Sequence, residues 1–274
     1  MSLTITDIDF VRDLVVKQSG NILRTGQSDM IESRLIPIAR SAGLTNVEAL
    51  IAELKRSKSP RLSDQVAQAV TVNETSFFRD VHPFNALRSR IIPDVMKENE
   101  ARRDLKIWCA ASSSGQEPYT LAMVIREHFP TLSDWNVRIL ATDISEKMLD
   151  KCRSGEYSQL EVNRGLPARN LVRFFDRSGS VWTAKPELRN LIDFQKLNLT
   201  TAWPLTTPFD VIFIRNVLIY FDQPTKAEIL RRTLRLLRPN GYLFIGSAET
   251  IIGLGLPLKR EEIDGTICYR HHSD

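Results

Sequence analysis

The sequence predicts an α/β fold with a mainly parallel sheet, preceded by an all-helical domain. Residues 1 to about 70 contain amphipathic segments and no strand-like run, whereas apolar runs alternate with amphipathic stretches from about residue 85. That alternation is typical of parallel strands joined by crossover helices. The chain has 274 residues and is 42% hydrophobic, which is enough apolar sequence for two domains.

Four amphipathic segments predict the helical domain, which we place at residues 1–70. They are DIDFVRDLVVKQSG, DMIESRLIPIARSAG, TNVEALIAELKRSK and SDQVAQAV. Gly20 is a plausible stop for the first helix. Ser28 or Asp29 is the expected N-cap of the second helix and Gly43 its expected C-cap.

The α/β domain is predicted at residues 85–274, and residues 71–84 are predicted to link the two domains and contribute to a site. Strands are expected at LKIWCAA, VRILATDIS, IDFQKLN, FDVIFIRN, YLFIGSA and TICYRHH, and helices at PYTLAMVIREHF, EKMLDKCRSG and TKAEILRRTLRLLR. A small β insertion is expected at about residues 174–193, because Gly179 and the run around Val181 interrupt the rhythm.

Composition excludes several classes of protein. No apolar run approaches the roughly 18 residues of a membrane span, and the start has no leader pattern, so we expect a cytoplasmic protein. The three cysteines, Cys109, Cys152 and Cys268, are far apart and predict buried, reduced thiols with neither a disulfide nor a metal site. A net charge of +4, from 37 basic and 33 acidic residues without a basic block, permits a nucleic-acid partner without indicating one.

The stretch TVNETSFFRD, at residues 71–80, is unusually dense in functional groups. It places an amide, two carboxylates, three hydroxyls, two adjacent Phe and an Arg at the expected boundary between domains. Clefts between domains favour ligands. We therefore expect this stretch to contribute to a binding site.

Two further motifs indicate a ribosylated cofactor. In SSSGQEPYT, a loop of small residues follows a predicted strand, and Gly115 would let a ligand approach the backbone. Asp143 ends the next strand, where a carboxylate can accept both hydroxyls of a ribose. The alternatives are a tight turn without a ligand at Gly115 and an N-cap role for Asp143.

A third motif is FDVIFIRNVLIYFD, in which Arg215 and Asn216 directly follow an apolar strand. Polar residues in that position line the ligand crevice of an open α/β sheet. The alternative for Arg215 is a surface ion pair.

These motifs carry a family resemblance. NETSFFRD, SSSGQEPYTLAM, ATDIS, the pair Asn198 and Leu199, and FDVIFIRNVLIYFD follow one another in an order and at spacings that resemble the CheR-type chemotaxis receptor glutamate O-methyltransferases. The match covers nearly the whole chain.

The resemblance implies a Rossmann-like S-adenosylmethionine-dependent methyltransferase domain after the helical domain, with a small inserted β-subdomain. It implies methylation of receptor glutamates to γ-methyl esters, with S-adenosylhomocysteine as product and no metal, in sensory adaptation. By motif matching, the cofactor-binding residues are Asn73, Thr75, Arg79, Gly115, Glu117, Asp143, Asn198, Leu199, Arg215 and Asn216.

The sequence departs from the family pattern in places. The family often has Gly where Ala111 stands and an acidic residue where Gln116 stands. The β insertion is short, which does not favour tethering by a receptor's C-terminal pentapeptide.

The reaction implied by the resemblance needs no general base. A glutamate is ionised at neutral pH, so its carboxylate is already the nucleophile and must only be placed in line with the methyl group. We expect Arg79 to position the reactants and Tyr220 to lie near the methyl group. Phe77 and Phe78 are candidates for an apolar lid, with core packing as the alternative.

The expected partner is the helical, acidic methylation region of a chemoreceptor. Arg34 and Arg40 lie on the second predicted helix and could dock it, although residues 1–70 carry nine bases against eight acids and a solvated face is the alternative. We expect a monomer with no nucleic-acid partner and no membrane insertion.

Two other functions share the fold class. A nucleic-acid methyltransferase is disfavoured because the sequence has neither a Pro-Pro-Tyr segment nor a Pro-Cys nucleophile. A sensor that binds S-adenosylmethionine without turnover would not need the groups of NETSFFRD at the methyl end.

Overall fold

The protein is described from a computed structural model, in which residues 3–23 and 26–271 are described. The chain forms two compact units. The first contains the residues up to Val72 together with Leu199–Thr201 and Tyr220–Lys226, and the second contains the remainder. The predicted linker 71–84 spans this division, since the second unit begins at Asn73.

The first unit is a bundle of four helices, each of which the sequence predicted. They are α1 Ile5–Ser19, α2 Ser28–Ser41, α3 Val47–Ser57 and α4 Pro60–Val70. One apolar stripe of every helix is buried in a common core, with Val11, Leu35, Leu50 and Val66 fully inaccessible. This burial stabilises the bundle because the helices are too short to be stable alone.

Caps define most of the helix ends. Asn46 Oδ1 accepts from the Ala49 N–H at 2.8 Å and begins α3, and Gly20 ends α1 in the left-handed region with φ 70°. The predicted caps of α2 are wrong in position. Its N-cap is Gln27, without a side-chain cap bond, and Gly43 (φ 71°) comes one residue after the C-cap.

Ten strands lie in the described part of the second unit. They are β1 Asp104–Ala110, β2 Asn136–Asp143, β3 Glu156–Ser158, β4 Phe175–Ser178, β5 Val181–Ala184, β6 Ile192–Lys196, β7 Phe209–Ile214, β8 Leu237–Ile245, β9 Leu258–Ile263 and β10 Thr266–His271. Seven form one sheet in the order β6-β2-β1-β7-β8-β10-β9. The pairs from β6 to β8 are parallel, and β10 runs antiparallel to both of its neighbours.

Helices and turns connect these strands. They are α5 His82–Ala86, a π-helical turn at Leu87–Ile91, α6 Ile92–Glu98, α7 Gln116–His128, a 3₁₀ turn at Pro130–Asp134, α8 Glu146–Ser154, α9 Gln159–Val162, α10 Ala168–Phe174, α11 Pro186–Arg189, a 3₁₀ turn at Leu218–Tyr220 and α12 Gln223–Leu236. The predicted α/β fold class is confirmed.

All six predicted strands are present, although His272 of the predicted last strand lies outside the described residues. The expected β insertion corresponds to the hairpin β4–β5, and the three-residue strand β3, which precedes α9 and pairs with β5, was not predicted. Strand β9 was also missed, because its sequence LKREEI is mostly charged and half of it faces solvent.

The amino-terminal edge of the large sheet is held by a buried ionic network. Arg238 Nη1 lies 2.7 Å from Asp210 Oδ1, and its Nη2 lies 2.9 Å from Asp104 Oδ2. Asp210 also accepts from Asn99 Nδ2 at 2.8 Å and from the Lys106 N–H at 2.7 Å. The network joins β1, β7 and β8 at this edge of the sheet.

Candidate functional site

The opposite edge of the large sheet carries the residues that the sequence singled out. Strand β1 pairs with β2 on one side and with β7 on the other, and the strand order reverses between β1 and β7. In open α/β sheets, ligands bind beyond the carboxyl ends of the strands at such a switch point. Asp143 ends β2, Arg215 follows β7, and the loop to Gly115 follows β1.

The loop after β1 is a tight turn with alternating left-handed residues. Ala111, Ser113 and Gly115 have φ values of 56°, 50° and 95°. A Cβ on Gly115 would lie 2.4 Å from Cys152 Sγ and 2.9 Å from Tyr157 Oη, so only glycine fits. Ala111 adopts a conformation that costs about 1 kcal/mol for a residue with a Cβ, which explains why glycine would also suit that position.

Asp143 is held by the loop. Its Oδ2 accepts from the Ser113 N–H at 2.8 Å, and its Oδ1 accepts from the Ser145 N–H at 2.9 Å. Burial raises the pKa of the Asp143 carboxyl, and the backbone hydrogen bonds partly oppose that rise. The alternative role as an N-cap is wrong, because Ser145 caps α8 by accepting from the Met148 N–H. A carboxylate has about four acceptor positions, so Asp143 keeps acceptor capacity for a ligand hydroxyl.

Arg215 forms a buried ionic cluster. Its Nη1 lies 2.6 Å from Glu117 Oε2, and its Nη2 lies 2.6 Å from Asp80 Oδ2 and 3.1 Å from the Arg79 carbonyl oxygen. Its side chain is only 1% exposed, so the alternative of a surface ion pair is wrong. Arg215 Nε is buried and has no hydrogen-bond partner among the described residues.

Cys109 adds a thiol to this cluster. Its S–H donates to Glu117 Oε1 at 3.1 Å. Burial, followed by the charge of Glu117, raises the pKa of the Cys109 thiol well above its usual value. The thiol therefore stays protonated at neutral pH and is not a nucleophile. The expectation of free, buried cysteines is confirmed for Cys109, Cys152 and Cys268.

The segment of residues 73–80 is attached to the strand ends by backbone groups. The Asn73 carbonyl oxygen accepts from Ser113 Oγ at 2.8 Å, and the Phe78 N–H donates to Thr120 Oγ1 at 3.1 Å. Arg79 Nη1 donates to the Glu74 carbonyl oxygen at 2.9 Å, and Thr75 is half-buried. The segment thereby brings two groups to Arg215, which are the main-chain carbonyl of Arg79 and the side-chain carboxylate of Asp80.

The two Phe residues of this segment have different environments. Phe77 is fully buried and packs edge-on against Tyr157 and Phe175, with ring centroids 5.0 and 5.7 Å away. Phe77 therefore packs in the core of the second unit. Phe78 is half-buried and lies edge-on to Phe84 at 5.7 Å.

Four of the singled-out residues belong to the first unit. Leu199 and Tyr220 belong to the first unit, where Leu199 is buried and the Tyr220 carbonyl oxygen accepts from the Ile22 N–H at 2.8 Å. Arg34 and Arg40 lie on α2 in the same unit. Arg34 Nη1 donates to the Thr71 carbonyl oxygen at 2.5 Å, whereas Arg40 is exposed.

Asn198 and Asn216 lie near the strand ends. Asn198 follows β6 by two residues, next to Leu197, whose N–H donates to the Asp143 carbonyl oxygen at 2.9 Å. Asn216 follows Arg215 with a left-handed φ of 58°. Both residues are half-buried at the same edge as Asp143 and Arg215.

Comparison with known proteins identifies the family. Residues 73–266 match the family model described as CheR methyltransferase, SAM binding domain. The chain is 37% identical over 274 residues to chemotaxis protein methyltransferase 1 of Pseudomonas aeruginosa, covering 98% of this chain and 99% of the relative. The chain belongs to the CheR methyltransferase family.

Two further CheR relatives extend this match. The chain is 37% identical to the chemotaxis protein methyltransferase Cher2 of Pseudomonas putida, covering 93% of this chain and 94% of the relative. It is 35% identical to the chemotaxis protein methyltransferase of Escherichia coli, covering 90% of this chain and 86% of the relative. The similarity therefore includes the helical region as well as the sheet.

S-adenosylmethionine is the cofactor of this CheR protein, and the strand-end residues fit it. Asp143 keeps acceptor capacity for a ribose hydroxyl, and the buried Arg215 Nε offers a donor without a partner among the described residues. Bound S-adenosylmethionine supplies a methyl group on a positively charged sulfur. No group of three or more His, Cys, Asp and Glu side chains in residues 3–23 and 26–271 could hold a metal ion. Likewise, no helix within those ranges is long and apolar enough to span a membrane.

Three residues of this CheR site were missed by sequence reasoning. Asp80 pairs with Arg215, Ser113 donates its N–H to Asp143, and Glu249 binds backbone groups of the loop after β7. Asp80 lies inside the quoted motif and Ser113 inside the small-residue loop, so both could have been singled out. Glu249 follows the end of β8 by four residues, and its position after a strand was the one signal available.

Proposed function

We propose that this protein transfers the methyl group of S-adenosylmethionine to glutamate side chains of chemotaxis receptors, forming γ-methyl esters in sensory adaptation. The observation that carries the proposal is the 37% identity, over nearly the whole of both chains, to a protein named chemotaxis protein methyltransferase 1. Such coverage includes both the helical unit and the strand-end residues.

The chemistry of the strand-end residues supports a carboxylate acceptor. A glutamate is ionised at neutral pH and needs no base to remove a proton. Asp80 and Glu117 pair with Arg215 at this edge, and the Cys109 thiol stays protonated. Such a site orients reactants and excludes water, which is the main requirement of this reaction.

We assign Arg79 to positioning and Tyr220 to the surroundings of the methyl group. In the described part of the chain, the Arg79 guanidinium makes one hydrogen bond, from Nη1 to the Glu74 carbonyl oxygen. Its other N–H groups can orient a carboxylate of the acceptor or of the cofactor. A tighter grip on the reacting oxygens would stabilise the ground state more than the less charged transition state, so the role is orientation.

We further propose that α2 docks the acidic helices of the receptor's methylation region. Arg40 is exposed on α2, so its charge can meet an acidic partner. Arg34 is bound to Thr71 O and contributes less to this surface than the sequence suggested. The short insertion, with β4 and β5 of four residues each, still does not favour a pentapeptide tether.

The experiment measures transfer of labelled methyl from S-adenosylmethionine to a receptor cytoplasmic fragment, with RNA as a parallel acceptor. Alkali then releases the label from a carboxyl ester as volatile methanol. Base-labile label on the receptor alone is the expected result. The same assay on a receptor fragment with its methylation-region glutamates changed to alanine is the matched control and should show no label.

Two results would contradict the proposal. Label on RNA would indicate the nucleic-acid methyltransferase. Binding of S-adenosylmethionine without transfer to either acceptor would indicate a sensor of the cofactor.

A further inference from the structure

The carboxylate of Glu249 gathers backbone N–H groups from two strand ends. Its Oε2 accepts from the Gly246 N–H at 2.5 Å and from the Asn216 N–H at 2.9 Å. Its Oε1 accepts from the Ile219 N–H at 3.1 Å. Gly246 follows β8, and the other two residues lie in the loop after β7, so one side chain joins the two loops.

This carboxylate fixes the conformation of Asn216. A left-handed φ of 58° is uncommon for a residue other than glycine, although asparagine tolerates it better than most. The hydrogen bond from the Asn216 N–H to Glu249 is charge-assisted, and the Ile219 N–H holds the far side of the same loop. The asparagine side chain is therefore presented from a loop that is anchored at both ends.

Position 246 has no room for a side chain. A Cβ on Gly246 would lie 2.6 Å from Asn216 Nδ2, 2.8 Å from Glu249 Oε2 and 2.9 Å from the Asn216 backbone nitrogen. No φ restriction applies at this position, so the need for glycine is steric. The space that a side chain would fill is taken by the Glu249 carboxylate and by Asn216 itself.

Glu249 also borders a neighbouring cavity of about 160 Å³. Arg215, Gly246, Glu249 and Ile267 are among the residues that line it. Loss of the carboxylate would leave three backbone N–H groups beside an open space that water can enter. The loop would then be free to leave the left-handed conformation at Asn216.

We propose that Glu249 is a positioning residue, which holds Asn216 in place for binding S-adenosylmethionine and its product. The proposal rests on the assignment of Asn216 to the cofactor, which came from the family resemblance. The new element is Glu249, whose carboxylate acts on Asn216 through three backbone N–H groups. Glutamine cannot replace it, because its single carbonyl oxygen cannot serve all three donors and its amide would face an N–H.

The test compares binding of S-adenosylhomocysteine to the wild type and to Glu249→Gln by calorimetry. We expect Glu249→Gln to weaken binding by about tenfold and to speed amide hydrogen exchange at Asn216, Ile219 and Gly246 in the free protein. Glu262→Gln is the matched control, because Glu262 is 63% exposed on β9, and should leave both quantities within about twofold of the wild type. Unfolding of each variant is followed by circular dichroism, so that binding is measured only where the protein is folded.

A second pair of variants tests whether Glu249 acts through Asn216. Asn216→Gly keeps the left-handed backbone and removes the side chain. In that background, Glu249→Gln should cause less than about a twofold further loss of affinity, since the group that it positions is gone. Gly246→Ala, which pushes the carboxylate away, should resemble Glu249→Gln.

Unchanged affinity in Glu249→Gln would overturn the proposal, even if hydrogen exchange became faster, because the loop would then be irrelevant to the cofactor. A full tenfold loss in the Asn216→Gly background would overturn it as well. Neither measurement uses a methyl acceptor. If the wild type binds S-adenosylhomocysteine but methylates no receptor, the proposed function fails while the role of Glu249 is still tested.

Discussion

Arg215 and Glu117 form an ion pair, with 2.6 Å between Nη1 and Oε2, in which the arginine side chain is almost completely buried. Asp80 is bound by the other terminal nitrogen of the same guanidinium. One cation therefore joins the strand β7, the start of α7 and the segment of residues 73–80. A buried charge that loses its partner is costly, and this makes the cluster both rigid and sensitive to substitution.

The first prediction concerns this cluster. Arg215→Ala should lower the free energy of unfolding by about 3–5 kcal/mol, because Glu117 would remain buried without a counter-charge. Urea denaturation measures the change. Arg56→Ala is the control, since Arg56 is 76% exposed in its pair with Glu53 and should cost less than about 1 kcal/mol. Equal effects of the two substitutions would contradict the buried cluster.

The second prediction concerns pH and Asp143. Burial raises the pKa of this carboxyl, so it takes up a proton at a higher pH than an ordinary Asp, whose value is 3.8. We propose that ribose hydroxyls donate to the ionised carboxylate, so affinity for S-adenosylhomocysteine should fall as the pH falls through the raised pKa. Calorimetry over a pH series checks this.

Asp143→Asn provides the control for that series. Asparagine does not ionise, and its amide nitrogen would face one of the N–H groups of Ser113 and Ser145. Binding should be weaker than in the wild type at neutral pH and should lose its dependence on acid pH. The same acid dependence in the variant would assign the titration to another group.

The third prediction concerns the network at the amino-terminal edge. The hydrogen bond from Arg238, together with its charge, lowers the pKa of Asp104 below 3.8, although burial opposes this. A lowered pKa means that the stabilisation is complete above pH 3.8 and is lost as the pH falls through the folded-state value. Arg238→Met should therefore lower the free energy of unfolding by on the order of 2 kcal/mol at pH 7.

The difference in free energy of unfolding between the wild type and Arg238→Met should become smaller as the pH falls below 3.8. Urea denaturation at pH 7 and at pH 3 gives the two differences. An identical difference at both pH values would mean that Arg238 contributes by packing rather than by its ion pairs.

The fourth prediction concerns Arg79. Arg79→Ala should lower kcat for methyl transfer by about 100-fold or more, because orientation of the reactants provides much of the acceleration. Its hydrogen bond to the Glu74 carbonyl oxygen is exposed to solvent, so the melting temperature should change little. Near-normal turnover in the folded variant would remove Arg79 from the mechanism.

The fifth prediction concerns docking by α2. Arg40→Glu should raise the KM for a receptor fragment severalfold without changing kcat, because it opposes an acidic partner before the reaction. Lys97→Glu makes the same change of charge at an exposed position of α6 and serves as control. A fall in kcat alone would mean that this surface does not dock the substrate. Arg34→Glu should lower stability instead, since it removes the bond to Thr71 O.

The sequence predicted most of the large sheet because the strands β1, β2, β7 and β8 are long apolar runs, separated by clear helical periodicity. It did not predict β3, which has three residues, or the helices between His82 and Glu98, where prolines at 83 and 93 and a π-helical turn obscure the pattern. Local signals fail there because tertiary contacts decide the structure. Short strands such as β3 exist only through their partners.

The candidate site was predictable in part for a similar reason. Asp143 and Arg215 were recognised because each follows an apolar strand, and position after a strand is visible in sequence. The partners of Arg215 and the three amides bound by Glu249 depend on which loops meet in space. Nothing in one sequence indicates that residue 249 reaches residue 216.

The composition of the first unit limits how domains can be exchanged between homologous proteins. It includes Leu199–Thr201 and Tyr220–Lys226 as well as the four helices, and a Cβ on Gly20 would lie 2.5 Å from Thr200 Cγ2 and 3.3 Å from the Phe221 ring. Consider a hybrid protein in which the first 72 residues come from a relative and the rest from this chain. The segments Leu199–Thr201 and Tyr220–Lys226 would then have to pack against helices of a different sequence. Three stretches of sequence must be inherited together, so recombination within the family should preserve them as one set.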